Sequence, residues 1–427
     1  MLKALGNAWS VPDLRRKLMF TAALLALYRL GCYVPLPGVN RAILENGIDT
    51  SGNALTGLFG VFTGGAFNNL SVFALGIMPY ITASIVMQLL TVAVPRLQEL
   101  AKEGDTGQQK ITQYTRYFTL ALALIQSVAM VFYFRSGQFG AVLQGATAIN
   151  IYLMVITLTA GTMLIMWLGE LITQRGLGNG ISLIISAAIL SRAPLAIQTL
   201  FEQGSILNMV FLAALAVIIV AAIVFVNEGQ RRIPITYARR QVGRRMSQGG
   251  TTYLPLKVNM AGVIPIIFAS SLLIFPTIIA QFSGGSQGST LYRVAQFFTP
   301  PNPPYLILYA LLILLFTYFY TAVQFNPIEH ADNLKKSGGY IPGIRPGQPT
   351  AMYLNNVLTR ITLFGAVFLA IVAVLPYIIS GALGLGTTIF LGGTSILIVV
   401  GVSLDTVRQL ESQLMMRNYE GFLRRRR

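Results

Sequence analysis

Ten separate runs of mostly apolar residues constrain this chain more than any motif in it. They start near Leu18, Ser71, Tyr114, Ile151, Gly180, Ile206, Asn259, Tyr305, Val357 and Thr387. A helix of about 20 apolar residues crosses the hydrocarbon core of a bilayer, and a soluble domain has no use for ten such runs. The charge content agrees: 11% of the 427 residues are charged and 54% hydrophobic, whereas soluble domains carry about 25% charged residues. The sequence therefore reads as an all-α polytopic membrane protein. The fifth run is the least regular, because Ser191, Arg192 and Pro194 interrupt it. The first follows Arg15–Arg16–Lys17 as a cleaved signal would. It lacks a small-x-small cleavage site and continues into Pro35 and Pro37, so it is expected to be a retained span. A single cysteine, Cys32, excludes an intramolecular disulfide framework.

The net charge of +17 would suggest nucleic acid in a soluble chain, but here its location decides. With a cytoplasmic N-terminus, the N-terminal segment, the even-numbered loops and the tail hold 26 of the 31 lysines and arginines. The loops on the other side hold 4, and Arg29 lies inside the first span. Positively charged loops stay on the cytoplasmic side, so the expectation is ten spans with both termini cytoplasmic. The longest polar segments, about 227–258 and 324–356, fall on that same side. The first carries RRIPITYARRQVGRRM and TTYLPLKV on either side of Gly249–Gly250, which predicts a short β-ribbon. The second, NPIEHADNLKKSGGYIPGIRPGQPT, is dense in Gly and Pro and predicts a shaped loop rather than a helix.

Several chemistries are missing. The one histidine, His330, falls in a polar loop, and no HExxH, GxSxG or GxxxxGK[ST] occurs. Within the spans the ionisable groups are few beyond Arg29 and Glu170. Proton relays and ion-coupled transport depend on buried carboxylates or histidines. The expectation is no enzyme, no cofactor and no metal, with any work driven by a partner. Arg29 is expected to meet a backbone carbonyl inside the bundle or to snorkel outward. Glu170, in WLGELITQRGLGNGIS, is expected to cap a helix or pair with Arg175.

One stretch, LFGVFTGGAFNNLSVF (58–73), is apolar yet broken by Gly64–Gly65 and Asn68–Asn69. From about Thr56 to Asn69 it is too short to span at about 1.5 Å per residue. Irregular backbone at membrane depth must lie within protein or line a cavity. The reading is a half-helix that enters from the outer side, breaks and hands over to the second span, an uncharged movable stopper. The alternative is an amphipathic helix lying on the outer surface. Ile77 and Ile81, and likewise Ile181 and Ile185, lie four apart on one helical face. Branched apolar bands can gate a pore by dewetting, although isoleucine on a membrane helix equally serves lipid contact or packing.

Six blocks carry a family resemblance: ALGIMPYITASIVMQLLTV (74–92), KEGDTGQQKITQYTRY (102–117), WLGELITQRGLGNGIS (167–182), LPLKVNMAGVIPIIFASSLL (254–273), FNPIEHADNLKKSGGYIPGIRPGQPT (325–350) and GGTSILIVV (392–400). In this order they resemble the SecY family of bacterial protein-conducting channels, from about Arg15 to Tyr419. The resemblance implies two pseudo-symmetric five-span halves, 1–203 and 204–427, around an hourglass pore; no residue-level repeat between them is visible in the sequence itself. It implies a plug over about 56–69, with Thr56, Phe59, Phe62, Gly64, Gly65, Asn68 and Asn69. It also implies a pore ring of Ile77, Ile81, Ile181, Ile185, Ile267 and Ile398. A lateral gate would lie between the second and seventh spans, with the third and eighth beside them. Gln88 and Asn259 would be its polar contacts, their hydrogen bonds worth roughly 0.5–2 kcal/mol each.

Arg244, Arg245 and Arg345 would dock the ribosome and the SecA ATPase, and other basic residues would touch anionic lipid. The implied partners include the small subunits SecE and SecG, signal sequences and precursor polypeptides, and the implied location is the bacterial plasma (inner) membrane. The implied function is a passive channel that conducts unfolded secretory polypeptides and releases apolar segments sideways into lipid. The rival is a secondary transporter with a broken helix, for which glycine-interrupted segments are also a pointer. The scarcity of intramembrane carboxylates and the two basic loops weigh against it.

Overall fold

Without water to satisfy peptide groups, an apolar run in lipid closes its hydrogen bonds within itself as a helix. The computed structural model describes Trp9, 11–39, Gly60, 62–135, 148–203, 206–237, 240–242, 245–247, 250–282, 302–382 and 393–424. Helices cover most of the expected runs: α1 (Pro12–Gly31), α2 (Met78–Ala93), α3 (Pro95–Lys102), α4 (Asp105–Arg135), α5 (Ala148–Arg175), α6 (Gly180–Gln203) and α7 (Ile206–Glu228). After a polar β-module come α8 (Ile264–Phe282), α9 (Pro303–Gln324), α10 (Pro327–Ser337), α11 (Gln348–Ala382) and α12 (Gly393–Arg424). Among the described residues, five helices are long and apolar enough to cross a membrane, namely α4, α5, α7, α9 and α11. A sixth follows if α2 and α3, bent by 98° at their junction, count as one span.

Two expected starts move. The second run becomes helical only at Met78, not near Ser71, because 71–77 is a series of turns ending at Gly76 with φ 58°. Pro79 then sits in the first helical turn, where it needs no amide partner. The seventh run becomes helical at Ile264 rather than Asn259, after Gly262 with φ 62°. The tenth expected start, Thr387, lies outside the described residues. The interrupted fifth run is one continuous helix, α6, with Pro194 inside it.

The helices share one apolar core, to which α1, α2, α4, α5, α6, α7, α8, α9, α11 and α12 all contribute. Contacts run α2–α4–α5–α6 through the first part of the chain and α8–α9–α11 through the second, while α2–α8 and α6–α12 join the two. Small residues set the closest approaches, as in membrane bundles generally. A Cβ built on Gly161 of α5 would lie 2.1 Å from the Val72 carbonyl oxygen, a backbone atom that cannot swing aside. Gly161→Ala is expected to cost about 2 kcal/mol through overpacking, read as a lower thermal unfolding midpoint of the detergent-solubilised protein. An unchanged midpoint would show that α5 and the 71–77 turns can separate freely.

The polar β-module forms as the composition predicts. β1 (Gln230–Tyr237) pairs antiparallel with β4 (Thr251–Lys257) in a register from Gln230↔Lys257 to Thr236↔Thr251. A small hairpin, β2 (Arg240–Val242) and β3 (Arg245–Ser247), is paired separately. β5 (Gly339–Tyr340) adds to the other edge of β1. The module has its own apolar core of Ile233, Leu256, Phe325, Ile341, Leu354 and Leu358. The 324–356 segment is not loop throughout, contrary to the sequence reading, because it contains α10. The Asn326 side chain accepts from the Ile328 N–H at 3.2 Å, Pro327 lies in the first turn, and Gly338 at φ 73° closes the helix. Pro and Gly mark the two ends of this helix rather than its absence.

Candidate pore and gate

The glycine pair stops a helix. Gly60 and Phe62–Thr63 are helical. Gly64 and Gly65 then take φ of 62° and 88°, a region open to glycine at little cost. Gly64 is required twice over, since an added Cβ would meet Ala188 Cα and Ser191 Oγ at 3.1 Å each. The chain continues in turns and is fastened to the end of the first run: the Leu36 N–H donates to the Leu70 carbonyl and the Val72 N–H to the Val34 carbonyl, each at 2.9 Å. Phe62, Thr63, Gly64, Ala66, Phe67 and Leu70 are buried, and the Phe67 ring lies 5.6 Å from that of Phe134. Burial on this scale is incompatible, for residues 62–70, with a helix lying on the outer surface.

The fit has flaws. Leu70 is the one described non-glycine residue with positive φ, 43°, and the Asn68 side-chain oxygen is buried without a hydrogen-bond partner among the described residues. Asn69 is half-buried, its N–H donating to the Gly65 carbonyl at 3.1 Å. Thr56 and Phe59 lie outside the described residues.

Both singled-out charges find partners. Arg29 Nη1 donates to the Gly64 carbonyl at 2.6 Å, one of the two fates the sequence allowed. Its Nη2 donates to Tyr33 Oη at 2.9 Å, with the guanidinium 4.9 Å from that ring's centre. Glu170 pairs not with Arg175 but with Arg116 of α4. Arg116 Nε donates to Oε1 at 2.9 Å while Nη2 donates to Oε2. This two-pronged pair holds a planar guanidinium more firmly than a single contact.

The six isoleucines arrive from four helices. Ile77 caps α2 and Ile81 lies in its first turns, Ile181 and Ile185 open α6, Ile267 belongs to α8 and Ile398 to α12. Five are 5% exposed or less, and half-buried Ile181 packs against the same core. The in-helix pairs were visible in sequence as i, i+4 neighbours. That all six border the same apolar core does not follow from that spacing.

At the α2–α8 seam, Ser271 Oγ lies 3.9 Å from Met78 Sδ. The Asn259 amide nitrogen is committed to Asn227 Oδ1 at 2.8 Å and to the Gly262 carbonyl at 3.1 Å, rather than to Gln88. Gln88 is half-buried on α2. The reason is proximity: Asn227 ends α7, the β1–β4 ribbon brings the chain back beside it, and Asn259 begins the next approach to the bundle. Asn259 Oδ1 is buried without a partner among the described residues beside a cavity of about 310 Å³, lined among others by Asn227, Lys257, Asp405 and Arg408. Arg408 Nη2 donates to the Asn227 carbonyl and pairs with Glu228 Oε1, each at 2.8 Å. Sequence reasoning missed Asn227 and Arg408, although an Asn–Glu pair closing a wholly apolar run was a usable signal. Of the expected docking residues, Arg244 lies outside the described residues and Arg245 opens β3. Arg345 is exposed between β5 and α11, its carbonyl accepting from Thr350 Oγ1 at 2.9 Å.

The SecY family model matches residues 71–407. The protein translocase subunit SecY of Streptomyces scabiei is 48% identical over 437 residues, covering 99% of this chain and 100% of the relative. The chain belongs to the SecY family. Its fold is shared with solved members. A SecY structure described as having a plug domain that stabilises the closed channel and maintains a membrane seal aligns at TM-score 0.62 and 18% identity, over 93% of this chain and 91% of that one. Sec61 in a canine ribosome–channel complex from the endoplasmic reticulum aligns at TM-score 0.60 and 17% identity, over the same shares. In a SecY-family chain the long apolar helices mean a multi-pass membrane protein.

Proposed function

We propose that this chain is the central pore subunit of a protein translocase, conducting unfolded secretory polypeptides across the bacterial plasma membrane and releasing apolar segments sideways into lipid. The observation that supports this is that six isoleucines from α2, α6, α8 and α12 all belong to or pack against the one apolar core of the bundle, five of them buried. A ring of them offers a moving polypeptide no hydrogen bond and no charge, so it closes around the chain without holding it, and its apolar wall resists the entry of hydrated ions. Residues 56–69 act as the plug that completes the resting seal. The ten apolar runs are ten spans with both termini cytoplasmic, divided into halves at about residue 203. The lateral gate is the α2–α8 seam, with Gln88 on its α2 side. The scarcity of protonatable groups along the path supports a channel with no reaction of its own.

Arg244, Arg245 and Arg345 dock the ribosome or the SecA ATPase, which supply the drive, and SecE and SecG complete the complex. Arginine contact with ribosomal RNA phosphates is salt-dependent and needs no sequence readout, which suits an exposed basic ribbon. Photo-crosslinking tests the reading. A crosslinker at position 77, 185, 267 or 398 is expected to capture a precursor stalled partway, while one at Phe225, exposed on the outside of the bundle, stays silent. An engaged precursor that reacts from none of the four would sink the pore assignment.

A further inference from the structure

We propose that Arg29 and Arg192 form a two-cation latch that holds the plug closed by its backbone; the inference rests on the plug reading above. Arg29 projects from α1 and donates to the Gly64 carbonyl at 2.6 Å. Arg192 projects from α6 onto the other end of the same turn. A Cβ added to Gly60 would lie 2.1 Å from its Nη1, 3.0 Å from its Cζ and 3.3 Å from its Nη2, so the guanidinium sits directly on the Gly60 backbone. The two positions are tied together, because the Gly65 N–H donates to the Gly60 carbonyl at 2.9 Å. Glycine at 60 and at 64 is what lets two bulky cations and the α6 backbone reach this short turn.

The charge pattern is unusual for a membrane interior. Among the described residues the ion pairs are Lys110–Glu103, Arg116–Glu170 and Arg408–Glu228, so no described carboxylate neutralises Arg29 or Arg192. The two guanidinium groups act on the same short turn, one at Gly64 and the other at Gly60. Arg29 faces instead the Gly64 carbonyl oxygen, which carries partial negative charge, and Arg192 lies against the backbone at Gly60. A carbonyl latch is weaker than an ion pair and can be broken during each round of opening. Once the plug departs, Arg29 loses its carbonyl partner and Arg192 the backbone it lies against, and the return of the turn restores both contacts. The latch therefore both holds the plug and draws it back.

The test is resting ion efflux from proteoliposomes containing the complete channel complex. Arg29→Gln is expected to raise efflux roughly tenfold, the loss of one charge-assisted hydrogen bond, Arg192→Gln to raise it in the same direction by less, and Arg29→Lys to restore most of the seal. Gly60→Ala, which displaces the Arg192 head without removing a charge, should leak similarly and covers the case in which an arginine variant fails to assemble. In a channel lacking residues 56–69 the two arginine-to-glutamine substitutions should add nothing, since coupled changes are not additive. If the deletion leaks while the single variants remain tight, the latch is wrong and the plug stands. If the substitutions leak equally in the deleted channel, the arginines merely support the bundle and the latch is again overturned. A deletion that does not leak would remove the plug reading, and the latch with it.

Discussion

Removal of Thr56–Asn69 is expected to raise the resting ion conductance of the channel by at least about a hundredfold. Phe62 and Phe67 sit buried in the same bundle core as Ile77, Ile81, Ile185, Ile267 and Ile398, and burying a side chain of that size contributes about 1.5–3 kcal/mol. Against this stand the orphaned Asn68 oxygen and the left-handed Leu70 left at the edge of the segment, each costing on the order of 1–3 kcal/mol. The balance holds the segment in place by a few kcal/mol, with about 1.4 kcal/mol for each factor of ten in population. That balance suits the proposed plug, which must be seated firmly enough to seal and loosely enough to leave. Single-channel recording in planar bilayers, without precursor or motor, reads this directly. A deletion variant as silent as the intact channel would show that the isoleucine ring alone makes the seal.

A polar ring residue should shift the same equilibrium from the other side. Ile398 is 1% exposed within the core. Asparagine there would bury an amide in the closed state with nothing to bond, at about 1–3 kcal/mol, while an open, hydrated ring would solvate it. Ile398→Asn is therefore expected to favour opening by roughly 10- to 100-fold, and to permit export of precursors whose signal sequences are too weak for the unaltered channel. Ile398→Leu, which keeps volume and polarity, should leave selectivity unchanged. Export of defective-signal precursors that does not rise in the asparagine variant would remove Ile398 from the ring.

Much of this was legible in the sequence because hydropathy needs only neighbours. The positions of the apolar runs, the β-ribbon and the odd nature of 58–73 all followed from local pattern. What escaped depended on distant chain. Glu170 was matched to nearby Arg175, but its partner, Arg116, lies 54 positions away. Asn259 bonds to Asn227, 32 positions back, because the ribbon folds the chain onto itself. The helix starts near Ser71 and Asn259 were misplaced for a different reason: an apolar segment can be wound as turns when neighbouring backbone, such as Gly161 beneath Val72, satisfies or crowds it. α10 was missed because Pro and Gly were read as breakers when they were its boundaries.

The small apolar core under the β-ribbon has a mechanical consequence. Leu354 and Leu358, two of its members, are also part of α11, a single rod of 35 residues and so about 50 Å long. That rod packs along α9 and against α12, the helix that carries Ile398. A load placed on the ribbon is not absorbed by a slack loop. It reaches α11, which packs against the helix bearing Ile398, so whatever grips the ribbon would have a handle on the proposed constriction.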